Sequence, residues 1–323
     1  MKLDPYSLPF YTDDFLIDVM DIEKWPTFLY HYTSINTLAL ILKNQTIRFN
    51  RLDKVNDPEE AISKDLQNSN TTQFVSCWTA NQRESIPLWN MYTKMKGVRI
   101  GMPTDMFEGR PTPDIYDHGG AMIHLNEAYN IERKASKLPD QLKAMQRLIS
   151  PEKIPSNGSK SSENKPSVRL TGISLPFSVW SSIVIGPNPV FYSDEERYHH
   201  PNILFDAGDP YNDGIQHVGI SPIDLGSIKG EHWKFEQEWR FKISMFGIGE
   251  TFPLDEIGKA RLDLLKYPVI TEYIDVDLDE GVFDQMEVTL APSTTMSEQI
   301  IIESLLHRFA PKAVLKRSEL NVM

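Results

Sequence analysis

The sequence predicts an α+β or mixed α/β fold, in which strands are followed by short helices. Short segments rich in β-branched and aromatic residues recur along the chain, and stretches with apolar residues at helical spacing follow several of them. No internal repeat is visible, so a repeat architecture is not expected. A hydrophobic fraction of 40% and a charged fraction of 24% are typical of a globular protein with its own core.

The first predicted elements lie between residues 28 and 58. FLYHY (28–32) is typical of a strand, and Ser34 is a candidate N-cap for the helix that follows. Apolar positions of that helix recur at helical spacing: Ile35, Leu38, Ile41 and Leu42. TIRFN (46–50) alternates as a strand, and the Asn-Asp-Pro sequence at 56–58 has turn chemistry.

The middle of the chain continues this pattern and then changes character. TQFVSCWT (72–79) predicts a strand, a helix runs between Pro87 and Gly97, and VRIGM (98–102) predicts the next strand. Residues 121–148 have a highly charged helical pattern. Residues 150–167 contain six serines and one aliphatic residue, which predicts a mobile loop without chemistry.

Strand signals dominate the last part of the sequence. They lie at 168–173, 179–185 and 190–192, and the Gly-, Asp- and Pro-rich stretch 202–230 predicts a loop. WKFEQEWRFKIS (233–244) is the strongest strand signal. MEVTLAP (286–292) predicts another strand, Ser297 is expected to cap the last helix, and AVLK (313–316) is expected to close the sheet.

Charge and cysteine content limit the expected partners and location. The chain has 45 acidic and 33 basic side chains, a net charge of −12, which argues against a general grip on phosphate backbones. Its first residues lack the apolar run of a signal peptide, and no stretch is apolar enough to span a bilayer. Cys77 is the one cysteine, so an internal disulfide is impossible. A cytoplasmic protein without membrane partners is expected. The histidines lack metal-ligand spacing, so no metal is expected.

The 233–241 segment offers two interpretations. In a strand, Glu236 and Glu238 share one face with Lys234 and Arg240, and the two carboxylates lie about 7 Å apart. One interpretation is a half-buried strand with a solvated face of compensating charges. The other is a carboxylate pair, kept ionised by the flanking cations, that stabilises positive charge developing on a sugar.

The segment Tyr30–Ser34 also leaves two interpretations open. Its aromatic residues fill a core while Ser34 caps a helix, or His31, Thr33 and Ser34 hydrogen-bond a ribose or diphosphate at the helix N-terminus. Trp89 and Tyr92, three residues apart on the predicted helix, form either a core stripe or a stacking platform for a flat ring such as nicotinamide.

Arg48 and Arg51 are the candidate phosphate ligands of this part of the chain. A single arginine is more often an ordinary surface charge, so both interpretations remain for each.

Taken in order, these segments resemble the DUF2971 family. The matching features are LYHYTS, RFN…NDPEE, SCWT, LWNMY followed by Gly97, the W-x-x-E-x-E-W-R pattern and a terminal Ser-Glu-Leu, spread over 28–320. That family in turn resembles the ADP-ribosyltransferase fold, including DarT-like enzymes. The resemblance implies a split mixed β-sheet that binds NAD as co-substrate, in one domain covering 1–323 with a helical and Ser-rich, partly mobile insertion at 119–167.

The resemblance also implies an activity and roles for the residues named above. It implies an NAD-dependent ADP-ribosyltransferase, a toxin or anti-phage effector that modifies nucleic acid or protein and has an antitoxin or operon partner. Glu238 would stabilise the oxocarbenium-like transition state, and Glu236 would orient or deprotonate the acceptor. The implied NAD-binding residues are His31, Tyr32, Thr33, Ser34, Arg48, Trp89, Tyr92 and Arg240, with His31 and Thr33 on the adenosine side and Tyr32 or Tyr92 against nicotinamide.

Other functions remain open at this stage. If water is the acceptor, the protein is an NAD glycohydrolase. A catalytically silent nucleotide-sensing or protein-interaction module, and an unrelated hydrolase or nuclease, are the further alternatives. A nucleic-acid acceptor would require Lys234, Arg240, Arg48 and Arg51 to gather into a local basic mouth.

Overall fold

The computed structural model describes residues 25–57, 60, 62–107, 121–124, 177–180, 184–196, 198–208, 217–220, 225–248, 269, 272–279 and 281–320. Within them the strands are β1 (Phe28–Thr33), β2 (Thr46–Arg51), β3 (Gln73–Thr79), β4 (Val98–Pro103), β5 (Ala121–His124), β6 (Phe177–Trp180), β7 (Ile185–Pro189), β8 (Phe191–Tyr192), β9 (Leu204–Gly208), β10 (His217–Ile220), β11 (Ile228–Lys229), β12 (Glu238–Ile248), β13 (Tyr273–Asp277), β14 (Glu287–Leu290) and β15 (Val314–Arg317).

One large sheet organises the described residues. Its main path runs β15-β14-β4-β1-β3-β12-β6-β5, while β2 joins β3 to β13 and β7 pairs with β12. The pairs β14–β15 and β5–β6 are parallel, and the other ladders of this sheet are antiparallel. The predicted α+β class with a large mixed sheet is therefore confirmed.

Two helices of ordinary length accompany the sheet in the described part of the chain. Helix α1 (Ile35–Asn44) begins where the Ser34 hydroxyl accepts the amide proton of Thr37, as the N-cap prediction requires. Helix α2 (Met296–Phe309) has a capping box made by Thr295 and Glu298, so the prediction that Ser297 caps it was wrong. Ile86–Leu88 form a short α-helical turn that continues as the π-helical turn Trp89–Thr93.

The main core lies where α1 and α2 pack on the sheet. It includes Leu38 of α1, Ile302 of α2 and Ile100 of β4, all fully buried. β4 is buried along its whole length, which explains why its sequence is mainly apolar rather than alternating. Among the described residues, no helix has the length and apolarity needed to cross a bilayer.

The segment predicted as the strongest strand is a strand only in its second half. Glu231–Glu236 form a 3₁₀ helix, Gln237 has a left-handed backbone with φ 45°, and β12 begins at Glu238. The alternating pattern is therefore real from Glu238 onward and coincidental before it. Glu236 and Glu238 do not share the face of one strand, and their relation has to come from tertiary contacts.

Two other predictions differ from the structure. The stretch 202–230, predicted as loop, contains β9, β10 and β11. Residues 121–124, predicted to begin a helical stretch, form β5 beside β6. Residues 125–167, which hold the rest of the predicted insertion, and the strand predicted at 168–173 lie outside the described residues.

Candidate functional site

A cleft of about 450 Å³ opens beside the sheet, next to α1. Its volume falls within the range of about 300–1,000 Å³ that is usual for small-molecule sites. The residues that line it include His31, Tyr32, Thr33, Arg48, Asn56, Cys77, Tyr92, Lys229, Glu238 and Arg240. A second cavity of about 60 Å³ shares His31, Tyr32, Cys77, Tyr92 and Glu238 with the cleft and adds Glu236.

Strand register brings His31 and Glu238 to the same place. β3 lies between β1 and β12, and Thr79 of β3 pairs with Tyr30 on one side and with Glu238 on the other. His31, the next residue on β1, hydrogen-bonds through Nδ1 to the carbonyl oxygen of Cys77 at 2.8 Å. Two residues more than 200 positions apart in sequence therefore line one cleft.

The imidazole of His31 is held in a defined state. A carbonyl oxygen only accepts, so Nδ1 carries the proton toward Cys77 and Nε2 of the neutral ring is an acceptor. Burial lowers the pKa of His31, and the bond to the Cys77 carbonyl opposes this only in part. His31 is therefore suited to accept a hydrogen bond from a ligand hydroxyl at neutral pH.

Five buried ionisable side chains meet at the wall of the cleft: Glu60, Lys229, Glu236, Glu238 and Arg240. We call them the charge cluster. The Lys229 ammonium nitrogen lies 2.6 Å from Glu236 Oε2, 2.8 Å from Glu238 Oε2 and 3.3 Å from Glu60 Oε1. Three carboxylates thus share two cations in a place shielded from water.

Glu238 is the best-anchored carboxylate of the charge cluster. Arg240 binds it in bidentate fashion through one edge of the guanidinium, Nε to Oε1 at 2.6 Å and Nη2 to Oε2 at 3.0 Å. Burial raises the pKa of Glu238, but Arg240 and Lys229 outweigh burial and hold that pKa well below its usual range. Glu238 is thus a fixed anion whose position and charge persist at any physiological pH.

Glu236 is in a different electrostatic state. Burial first, and then the nearby charge of Glu238, raise its pKa, while Lys229 and the hydroxyl of Tyr92 oppose the rise. The Tyr92 hydroxyl donates to Glu236 Oε1 at 2.6 Å and accepts from the Asn56 amide nitrogen at 3.3 Å. Two neighbouring carboxylates with pKa values moved in opposite directions are a common arrangement for acid–base work.

Some predicted NAD-binding residues have structural roles in packing, hydrogen bonding or helix capping. Trp89 is fully buried, packs edge-on against Tyr32 and donates its indole N–H to Glu84. Tyr32 is buried as well, and its hydroxyl accepts the amide proton of Ser85. Ser34 is exposed and caps α1. The structure thus places Trp89 in the core and Ser34 at the N-cap of α1, whereas Tyr32 contributes to a wall of the cleft.

Of the four predicted basic residues, Arg48 and Arg240 reach the cleft, and each is already paired with carboxylates. Arg48 lines the cleft, but it is paired in bidentate fashion with Asp275 and stacks on Tyr273. Arg51 lies in the interior with Asp53 and the carbonyl of Val269. Arg240 is buried, and Lys234 is exposed beside Glu231. The basic mouth expected for a nucleic-acid acceptor is therefore not formed by these four residues.

Sequence reasoning missed Glu60, Lys229 and Tyr192. Glu60 is in the NDPEE segment that carries part of the family resemblance, which is a usable signal. Lys229 lies in a stretch predicted as loop. Its position on β11 beside Tyr192 of β8 depends on a parallel strand pairing that cannot be predicted from the local sequence pattern. The hydroxyl of Tyr192 accepts the amide proton of Glu238 and so fixes the start of β12.

No group of three or more metal-ligating side chains that could hold an ion was found within the described ranges. Comparison of the chain with protein-family models, with curated proteins and with solved structures found no match.

Proposed function

We propose that the cleft binds NAD and that the chain is an ADP-ribosyltransferase with an ADP-ribosyltransferase-like fold. One observation carries the proposal: an anionic Glu238 and a neutral His31 line one cleft of small-molecule size. The order β1-β3-β12, with Glu238 at the start of β12, also agrees with the resemblance drawn from the sequence motifs. Glu238, Glu236 and His31 are the proposed catalytic residues.

The proposed chemistry is cleavage of the bond between C1′ of the ribose and nicotinamide. The bonding electron pair leaves with the nicotinamide nitrogen, and positive charge develops on the ribose. A carboxylate that stays ionised stabilises this charge more in the transition state than in the ground state, which is the condition for catalysis. Arg240 and Lys229 give Glu238 this property.

Tyr92, His31 and Glu236 complete the proposed site. The Tyr92 ring is 41% exposed and offers a face for nicotinamide, while Nε2 of His31 accepts a ribose hydroxyl. The acceptor forms its new bond to C1′ and loses a proton, which Glu236 takes because its raised pKa suits a general base. The acceptor is a nucleobase, a protein side chain or water, and water would make the protein an NAD glycohydrolase.

A second candidate is nucleotide binding without turnover. It is favoured by the saturation of Glu238, since both carboxylate oxygens already receive hydrogen bonds from Arg240 and one also contacts Lys229. A carboxylate held so firmly has little capacity left for a ribose hydroxyl. In this case the charge cluster would stabilise the wall of a nucleotide sensor.

The test is to incubate the purified chain with NAD, alone and with cell lysate, and to follow nicotinamide release and added ADP-ribose by mass spectrometry. Glu238→Gln is expected to lower the rate about 100- to 1,000-fold. Glu231→Gln is the matched control, because Glu231 is an exposed carboxylate of the adjoining 3₁₀ helix. No release from wild type, or equal release from Glu238→Gln, would refute the transferase. Thermal stabilisation by NAD without release would support the sensor.

A further inference from the structure

The Lys229 side chain is enclosed by its partners. It extends from β11, is 4% exposed, and approaches Glu60, Glu236 and Glu238 with one nitrogen. Its ammonium also lies 4.8 Å from the centre of the Trp233 ring, which covers it from another direction. The ammonium donates a hydrogen bond to Glu236 Oε2, whereas Glu60 Oε1 lies at ion-pair distance, 3.3 Å away, and accepts no hydrogen bond from the described residues.

The backbone does not place Glu236 and Glu238 on the face of one strand, so a side-chain contact has to fix the orientation of their carboxylates. Glu236 ends a 3₁₀ helix, Glu238 begins β12, and the left-handed Gln237 stands between them. Two neighbouring buried carboxylates repel each other unless a cation lies between them. Arg240 binds Glu238 and Glu60, whereas Lys229 reaches those two and Glu236.

We infer that Lys229 is the positioning residue of the site: its ammonium sets where the Glu236 and Glu238 carboxylates lie relative to each other and to the cleft. The sequence alone predicts that one strand face holds the two carboxylates near each other. In the structure, the Lys229 ammonium holds them there instead. The catalytic meaning of this inference rests on the proposed function, whereas the positioning itself is a property of the folded chain.

Removal of Lys229 is expected to destabilise the fold in a way that depends on pH. The groups facing Glu236 and Glu238 are Lys229, Arg240, Glu60, Tyr92, Tyr192 and Cys77. Without the ammonium, both carboxylates lose a cation, and their pKa values rise. The folded variant is then most destabilised at neutral pH, where the carboxylates are charged, and least destabilised in acid, where they are protonated.

The experiment compares Lys229→Met and the charge-retaining control Lys229→Arg with wild type by thermal unfolding from about pH 8 to about pH 4. The Tm deficit of Lys229→Met is expected to shrink toward acid pH. Lys229→Arg, which retains the charge, is expected to recover most of the loss.

Nicotinamide release supplies the second readout. Lys229→Met is expected to lower kcat about 100-fold through misplaced carboxylates, with KM for NAD within a few-fold of wild type. If the Tm deficit of Lys229→Met is the same at both ends of the pH range, the positioning role is wrong, whatever the NAD assay gives. If wild type releases no nicotinamide, the proposed function fails, and the pH dependence of the Tm deficit still decides whether Lys229 positions the carboxylates.

Discussion

Arg240→Met tests the electrostatic reasoning without any ligand. Arg240 is 1% exposed and donates hydrogen bonds to both oxygens of Glu238, to Glu60 and, at 2.7 Å, to the carbonyl of Gly226. Methionine fills a similar length of side chain but carries no charge and no donor. The substitution leaves three carboxylates around one cation, Lys229.

The expected cost follows from these contacts. Removing one partner of a buried ion pair costs about 3–5 kcal/mol because the remaining charge is left without compensation. The Gly226 carbonyl loses a partner as well, whereas Lys229 still contacts Glu238 and Glu60 and limits the damage. We therefore expect a loss of about 3–5 kcal/mol in the free energy of unfolding, a large part of the stability of an ordinary domain.

Denaturant unfolding followed by circular dichroism measures this loss. Because the pKa of Glu238 is held below its usual range, Glu238 stabilises the wild-type fold above its unfolded pKa and stops doing so as the pH falls through the folded value. The difference between wild type and Arg240→Met is thus largest near neutral pH and decreases below about pH 4. A loss under about 1 kcal/mol at neutral pH would refute the buried cluster.

A double-mutant cycle provides an internal control for this prediction. Glu60→Gln removes one negative charge, so in the Arg240→Met background it restores the original excess of one carboxylate over cations. Glu60→Gln is expected to be less destabilising there than in wild type, with a coupling energy of at least about 1 kcal/mol. Additive effects of the two substitutions would show that Glu60 and Arg240 are not electrostatic partners.

Three further predictions concern residues whose roles the structure separates. Ser34→Ala is expected to lower the free energy of unfolding by about 0.5–2 kcal/mol in denaturant, through loss of the α1 N-cap. NAD affinity is expected to stay unchanged. A large loss of affinity would show that Ser34 contacts the ligand. Trp89→Phe removes a buried indole and its bond to Glu84, with an expected loss of about 1–3 kcal/mol and unchanged affinity. Because burial lowers the pKa of His31, NAD affinity measured by calorimetry is expected to be constant from about pH 7 to pH 8. An affinity that falls over this interval would mean that the charged imidazolium binds the ligand.

Local patterns predicted those parts of the fold that local physics controls. The alternation in 46–50, the β-branched and aromatic content of 72–79, the aromatic content of 28–32, and the cap at Ser34 each depend on a few neighbouring residues. At 233–236 the alternating pattern wrongly predicted a strand, because tertiary contacts outweigh the local preference there. Glu236 is bound by Lys229 and Tyr92, and a 3₁₀ helix rather than an extended chain brings it to them.

The candidate site also contains residues that the sequence predicts and residues whose role depends on tertiary contacts. His31, Tyr92, Glu236, Glu238 and Arg240 are identifiable from residue type and motif. Whether Trp89 stacked on a ligand or filled the core could not be decided from spacing, because both interpretations require the same helical period. Its full burial against Tyr32 decides the matter.

The sequence by itself determined which segments prefer extended or helical backbone, and that β12 carries an acidic and a basic residue two positions apart. Only the tertiary structure decided which charges meet. Glu60 and Arg240 are 180 positions apart, and Lys229 reaches three carboxylates from a two-residue strand. Propensity acts between near neighbours in the chain, whereas ionic contacts in a low-dielectric interior depend on which strands become neighbours in space.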